Sequence, residues 1–171
     1  MQLVKKSFII LVLAWLAILV FMPRQALYYT LEEKLASEEI QLNEESIKEG
    51  WFGLELKGVD VYVKGILLAR IEKATFYTLL FYTKIDIQNL LLDDSMASMF
   101  PTKINNIQAT HNIVWATDIG LSMAKEDTLA QGNIDLSTGS IRVDFNESKL
   151  LPGLKHQLKQ DDKGWYYETS F

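Results

Sequence analysis

Residues 53–92 read GLELKGVDVYVKGILLARIEKATFYTLLFYTKIDIQNLLL, and this stretch decides the fold class. Its apolar residues recur at every second position from Leu54 and again from Ile85, with charged or amide residues between them. Such alternation is typical of a β-strand with one buried face. Gly58 interrupts the period and predicts an irregularity in the first strand. The stretch therefore predicts a series of strands.

The alternation continues after a break at Phe100-Pro101 and ends in the clearest hairpin of the chain. In this hairpin, Ile134 and Leu136 face residues 141–145 across a loop that contains Gly139. Residues 165–171 alternate once more as a closing strand. The sequence thus predicts about eight strands in a mostly β fold. We expect an antiparallel, hairpin-built architecture, either a curved sheet or a sandwich of jelly-roll type.

Two minor helices accompany the strands. Leucines recur every four residues between Gln25 and Ser37, just after Pro23, which predicts an amphipathic packing helix. Residues 149–159 predict a helical turn or short helix. Glutamate pairs occur in the same region of the chain as the first helix, and we interpret them as a solvated helix face and turn rather than a cation site. These pairs are Glu32/Glu33, Glu38/Glu39 and Glu44/Glu45.

The N-terminus carries an unbroken apolar run from Phe8 to Met22, preceded by Lys5 and Lys6. At 1.5 Å per residue it is about 22 Å long, which the preceding residues can extend toward the roughly 30 Å of a hydrocarbon core. The run predicts a single transmembrane signal anchor. A cleaved signal peptide is the competing interpretation, but small residues are missing at the positions that a peptidase needs.

The basic residues near the two ends of the run predict its orientation. Lys5 and Lys6 precede it, whereas Arg24 alone follows closely, so the N-terminus is expected in the cytoplasm and the rest of the chain outside it. This divides the chain into residues 1–24, the cytoplasmic tip and transmembrane helix, and residues 25–171, an exported, mostly β domain.

The chain is acidic and contains no cysteine. Its formal net charge is −5, whereas a nucleic-acid binder needs a basic face that releases counterions, so we predict no nucleic-acid partner. Without cysteine there is no disulfide framework, no thiolate metal site and no cysteine nucleophile.

No catalytic motif is found in the sequence. The P-loop, G-x-G-x-x-G, G-x-S-x-G and H-E-x-x-H are all missing. His111 and His156 stand far apart, and neither belongs to a cluster with metal-ligand spacing. Residues 144–148 begin like a calcium loop but lack its turn glycine. We therefore predict a protein that is not an enzyme, with no catalytic, cofactor-binding or metal-binding residues and no cofactor.

The predicted strands contain more apolar side chains than one buried face of a sheet needs. The segment from Ala74 to Tyr82 carries them at consecutive positions, which indicates either a layer buried on two sides or an apolar interior used by a ligand. Aromatic residues are numerous enough to line a groove, although for each of them we favour a place in the β core. They are Trp51, Phe52, Phe76, Tyr77, Phe81, Tyr82, Trp115, Trp165 and Tyr166.

Three stretches after the apolar run resemble a known family. They are KLASEEIQL (residues 34–42), the strand block of residues 53–92, and GNIDLSTGSIRVDF (residues 132–145). The arrangement resembles the AsmA-like proteins and the type II secretion protein N, whose periplasmic parts are built from such hairpins. The resemblance implies a single-pass protein of the bacterial inner membrane with its domain in the periplasm. It also implies a role in cell-envelope biogenesis, and it supplies no catalytic residues.

Three functions remain open at this point. The first is a membrane-tethered periplasmic β domain that binds lipid or an envelope protein partner. The second is a membrane-anchored jelly roll of the lipopolysaccharide-export type, which passes lipid between β modules. The third is a membrane-tethered enzyme that acts through scattered carboxylates. An apolar groove open at both ends would favour the second over the first, and convergent carboxylates in a cleft would favour the third.

Overall fold

The computed structural model describes residues 2–21, 23–79, 81–97, 100–124, 128–146, 157–162 and 164–171. Within these residues, two helices precede ten strands, and short 3-10 turns lie at Asp94–Met96 and Ile113–Trp115. The helices are α1 (Gln2–Phe21) and α2 (Arg24–Ser37). The strands are β1 (Ile40–Glu49), β2 (Gly53–Val63), β3 (Ile66–Leu79), β4 (Tyr82–Leu92), β5 (Lys103–Asn112), β6 (Asp118–Ala124), β7 (Thr128–Asp135), β8 (Ser140–Phe145), β9 (Lys159–Asp161) and β10 (Gly164–Ser170).

The described strands form one open antiparallel sheet. Strands β1 to β8 lie side by side in chain order, followed by β10 and then β9, so β1 and β9 are the outer strands. The predicted mostly β, antiparallel, hairpin-built fold is confirmed. The described strands make a single sheet rather than the alternative sandwich. The sheet contains two strands more than the roughly eight that periodicity predicts, because β1 was interpreted as a turn and β9 has only three residues.

Helix α2 packs on one face of β1 and β2, so the predicted helix is confirmed. Its predicted leucine face is wrong, because Leu27 and Leu31 are exposed and Tyr28 is buried instead. Tyr28 enters a buried cluster with Leu54, Leu56, Val59 and Ala74. Its hydroxyl donates a hydrogen bond of 3.1 Å to Oε2 of Glu44 on β1. Burial and this hydrogen bond raise the pKa of Tyr28 above its ordinary value. One of the predicted solvated glutamates therefore partners a core residue, which corrects that interpretation for Glu44.

The irregularity predicted at Gly58 is confirmed. Gly58 has a φ of 59° and Asn89 on β4 has a φ of 52°, both in the left-handed region. The pairing register is the same before and after each of them. The buried alternation of β2 instead changes phase, from Leu54 and Leu56 to Val59. One face of the sheet thus stays apolar although the period of two is interrupted.

The C-terminal hairpin is confirmed with a correction at its turn. Ile134 pairs with Ile141 as predicted, and Gly139 has a φ of 63°. The prediction that Leu136 belongs to the strand is wrong, because β7 ends at Asp135. The carboxylate of Asp135 accepts hydrogen bonds from the backbone N–H groups of Ser137 and Thr138, at 2.8 and 3.2 Å, and so starts the turn one residue earlier.

The predicted transmembrane helix is not supported. Among the described residues, no helix combines the length and the apolar character needed to cross a membrane.

The predicted short helix at residues 149–159 falls almost entirely outside the described residues. Its last residue, Lys159, begins β9 instead. The closing strand predicted at residues 165–171 is confirmed as β10.

Candidate functional site

The sheet is amphipathic across nine of its ten described strands. One in-register row crosses nine strands, from β1 to β8 and on to β10, and every residue in it is apolar. The row is Ile47, Leu56, Ala74, Ile87, Ile107, Met123, Ala130, Phe145 and Trp165. Because successive side chains alternate between faces, all of these point to one side, which we call the apolar face. It is also the side on which α2 packs.

The neighbouring row lies on the opposite face, which we call the polar face. It consists of Lys48, Glu55, Thr75, Asp86, Gln108, Ser122, Gln131, Asp144 and Tyr166. With one aromatic exception, its members are charged, amide or hydroxyl residues. The two rows together show that the sheet keeps a water-facing side and an apolar side over all nine strands.

Asp86 is the centre of a hydrogen-bond network on the polar face. Its carboxylate accepts from the side-chain amides of Gln88, Asn106 and Gln108 at 3.0, 3.3 and 2.9 Å, and lies 3.4 Å from Nζ of Lys84. Partial burial acts to raise the pKa of Asp86, but the hydrogen bonds outweigh it and hold that pKa below its ordinary value. Asp86 is therefore a satisfied, ionised structural group.

A second network on the polar face joins the last strands. The guanidinium of Arg142 donates to Asp144 at 2.7 Å and to Asp161 at 2.6 Å, and lies 4.0 Å from the ring centroid of Tyr166. These contacts fix β8, β9 and β10 to one another. Because one guanidinium binds two carboxylates from different strands, the network acts as a structural clamp for the short outer strand.

The apolar face is covered only in part by described residues. Helix α2 lies over its β1–β2 end, where Leu54 and Leu56 are 4% and 2% exposed. On β6 and β8 every residue is half-buried, although half of them belong to the apolar face. Ala130 is the fully buried exception on the described part of β7. Half-burial is what neighbouring strands provide when no second layer is stacked on a sheet.

Two cavities lie along this face. One of about 180 Å³ separates α2 from the sheet and is lined by Tyr28, Leu54 and Phe76. The other, about 90 Å³, is a shallow depression farther along, lined by Ile107, Leu121, Met123 and other residues of the central strands. Both are almost wholly apolar, so the face accepts apolar groups better than polar ones.

The total exposed surface is large for a chain of this size. The accessible area is 11804 Å², whereas a compact monomer of 19.6 kDa is expected to expose about 8,600 Å². Among the described residues, α1 contributes to this surface with large apolar side chains that are mostly exposed, and so does the sheet, whose apolar face α2 covers only at the β1–β2 end. Apolar surface left uncovered on this scale is a feature of interaction sites.

A cavity of about 600 Å³ belongs to the polar face instead. Some of its polar side chains are paired with one another. Nε of Arg70 lies 3.1 Å from Oδ1 of Asp60, and the amide of Asn89 donates to Glu72 at 2.7 Å. The cavity is therefore a solvated recess beside Gly58 and Asn89, and its size alone does not make it a binding site.

The sequence predicted no catalytic or metal-binding residue, and the described residues hold no cluster of three or more potential metal ligands. His111 lies on β5, with its Nε2 atom 3.1 Å from the carbonyl oxygen of Ala116. His156 lies outside the described residues. Asp93 accepts a hydrogen bond of 3.0 Å from the backbone N–H of Ser95 and so caps the 3-10 turn at Asp94–Met96. Whether the protein is an enzyme stays a prediction.

The structure shows whether the segment from Ala74 to Tyr82 is buried on both sides of the sheet. Ala74 and Phe76 point to the apolar face, while Thr75 and Tyr77 point to the polar face, and β4 begins at Tyr82. Tyr77 is 37% exposed, so the segment is not buried on both sides.

The preference for core positions is wrong for several aromatic residues. Trp51, Phe81 and Trp115 are exposed, because each lies in a turn at the end of strands rather than within one.

No protein-family model, no curated protein and no solved structure matches this chain.

Proposed function

We propose that this protein is a membrane-attached, non-enzymatic binding module that holds lipid acyl chains on the apolar face. The observation that carries the proposal is the apolar row across nine strands, of which α2 covers only the β1–β2 end. Acyl chains need no hydrogen-bonding partner, and apart from the indole N–H of Trp165 at its β10 end, this row offers no strong donor or acceptor. A long strip of mostly aliphatic side chains is therefore matched to their chemistry.

The energetics favour an occupied face. Fully burying one large apolar side chain is worth about 1.5–3 kcal/mol relative to leaving it in water. Several half-buried side chains on β6 and β8 could each gain part of that amount from a bound chain. The resemblance to AsmA-like proteins is compatible with this proposal, since it implies either lipid handling or the assembly of secretion machinery in the cell envelope.

Helix α1 is proposed as the attachment to the bacterial inner membrane. Its apolar side chains are exposed around the helix; Leu3, Phe8 and Ile18 are each at least 65% exposed. A helix that is apolar on all sides is stable only when lipid or protein surrounds it. The sheet is proposed to lie on the periplasmic side, as the position of Lys5 and Lys6 predicts.

This orientation predicts the reactivity of two engineered cysteines. Because the chain has no natural cysteine, Gln2→Cys and Ser140→Cys each provide a single label site. An impermeant maleimide added to sealed, oriented vesicles should reach the two positions from opposite sides. Labelling of both from the same side would contradict the proposed orientation.

The binding proposal predicts a difference between two adjacent residues of β6. Met123 lies on the apolar face and Ser122 on the polar face. A photoreactive amino acid placed at Met123 in the full chain, in membranes that contain radiolabelled phospholipid, should cross-link to acyl chains several-fold more than the same group at Ser122. Because the two sites are neighbours in one strand, general closeness to the membrane affects both. Equal labelling, or no lipid adduct at Met123, would refute acyl-chain binding at this face.

One observation favours the second candidate, a module that pairs with other β modules and passes lipid onward. The outer strand β1 has ten residues and is a long sheet edge, whereas the other outer strand, β9, has three. A long edge is a template for strand addition. Slowed hydrogen exchange along β1 in native membranes, compared with the purified chain, would support this candidate.

A further inference from the structure

Exposed apolar side chains gather at one end of the sheet. At this end β1 turns into β2, β3 into β4, β5 into β6, and β7 into β8, and β10 finishes. Each of these turns, and the C-terminus, presents at least one large exposed apolar residue. We call this set the apolar tips: Trp51, Phe81, Val114, Trp115, Leu136 and Phe171.

Backbone hydrogen bonds hold the tips in one line. The N–H of Thr78 donates to the carbonyl of Phe52, next to Trp51, and the N–H of Ile113 donates to the carbonyl of Phe81. Farther along, the N–H of Phe171 donates to the carbonyl of Gly139. All three bonds are 2.8 to 2.9 Å long. The tips therefore form an ordered edge rather than a set of independent loops.

The opposite end of the sheet is different in character. Its described turns carry charged residues, including Glu38, Lys64, Asp93 and Asp162. Among the described residues, Ile66 and Leu91 are the exposed large apolar residues at this end. Trp51, Trp115 and Phe171 are 76%, 69% and 75% exposed at the tip end. Among the described residues, the sheet thus has one end rich in exposed apolar side chains and one end that is mainly charged.

Helix α1 reaches the apolar end. The ring centroid of Trp15 lies 4.7 Å from that of Phe81, and the start of α2 is held to β1 by a hydrogen bond from the N–H of Arg24 to Glu49. Trp15 lies six residues before the last residue of α1, about 9 Å along the helix. Phe81 is therefore beside α1 and not beyond its end, so a membrane that receives α1 also meets this tip.

We propose that the apolar tips dock into the interfacial layer of a phospholipid bilayer, so that the end of the apolar face abuts the membrane. The inference rests on the proposed attachment through α1. Tryptophan is enriched at membrane interfaces because its ring is apolar while its N–H remains hydrated. The contact between α1 and Phe81 favours a bilayer as the occupant. With the tips docked, an acyl chain passes from the bilayer to the apolar face without crossing water.

The test uses tryptophan fluorescence of the full chain in vesicles of phosphatidylcholine and phosphatidylglycerol. Variants with a single tryptophan keep Trp51 or Trp115, and the others become phenylalanine. A control variant without natural tryptophan carries Ile66→Trp at the charged end. Lipids brominated near the top of the acyl chains should quench Trp51 and Trp115 strongly and leave the control unquenched. A polarity-sensitive dye on Leu136→Cys, in a chain that retains all its tryptophans, provides a second measurement and should shift to the blue.

Flotation of the same vesicles distinguishes docking of the apolar tips from the proposed attachment through α1. If the protein floats with the vesicles, Trp51 and Trp115 are quenched and the dye emission is shifted to the blue, tip docking is supported. Chain that floats while the tips stay unquenched and the dye stays in water overturns tip docking and leaves the attachment through α1 intact. Chain that does not float at all overturns both.

Discussion

Replacing Leu56 by alanine is expected to lower the free energy of unfolding by about 2–5 kcal/mol. Leu56 is 2% exposed, the largest fully buried side chain among the described residues, and lies in the cluster that α2 closes with Tyr28. Alanine removes buried apolar contacts and leaves a cavity that the surrounding strands can refill only in part. The loss is large against the roughly 5–15 kcal/mol by which domains are usually stable.

Urea unfolding of the full chain in a mild detergent, followed by the circular dichroism of the sheet, measures this loss. The matched control is Lys57→Ala on the next residue of β2. Lys57 is exposed, and its Nζ lies 3.6 Å from a carboxylate oxygen of Glu55, a surface pair worth about 0–1 kcal/mol. Equal losses in the two variants would show that the cluster under α2 is not the stability core.

Replacing Gly132 by alanine is expected to cost about 1–3 kcal/mol, because the added methyl group overpacks the sheet. A Cβ atom at Gly132 would lie 2.7 Å from the carbonyl oxygen of Arg142 and 3.0 Å from Cγ2 of Val143. The first of these is a backbone atom that cannot rotate away, so β7 and β8 must separate locally. The affected pairing also supports the ion pairs of Arg142 with Asp144 and Asp161.

Gly120→Ala on β6 is the matched control for this variant. A Cβ atom there would meet Oγ1 of Thr110 at 3.0 Å, a hydroxyl that can turn aside. This variant should change stability by less than about 1 kcal/mol, and the smaller entropy of its unfolded state can even stabilise it. Thermal unfolding of both variants by circular dichroism is the measurement. A Gly132→Ala protein as stable as the Gly120→Ala protein would contradict the packing at β7 and β8.

Strands with a clean period of two were predictable from sequence. Ile85 and Ile87 mark β4, and Ile134 and Ile141 mark the last hairpin, because alternation is a property of consecutive residues. Strand β1 was missed for a physical reason. Its residues Glu44, Glu45 and Glu49 are typical of a solvated turn, but Tyr28 and Arg24, from a helix before it in the chain, supply hydrogen bonds to two of them. Tertiary packing determines these hydrogen-bond partners, and the residues next to each glutamate in the sequence do not indicate them.

The candidate site was predictable only as a surplus of apolar residues. Met123, Ala130 and Phe145 belong to three different strands, and nothing near any one of them in sequence shows that they are neighbours in one row. Trp51 and Trp115 illustrate the same limit for the tips. Each is an aromatic residue between strands, and only the common direction of the turns brings both to one end of the sheet.

The sequence by itself determined that the chain is mostly β, which side chains alternate, and where Gly58 disturbs the alternation. It also determined that the chain has more apolar residues than one buried sheet face can hold. These features follow from local sterics and from the period of two, which act within a few residues. Only the tertiary structure decided the order and register of the strands, the limited cover by α2, and the gathering of the apolar tips beside α1. These depend on contacts between residues distant in the chain, where the gain from burial and hydrogen bonding must outweigh the entropy of bringing the segments together.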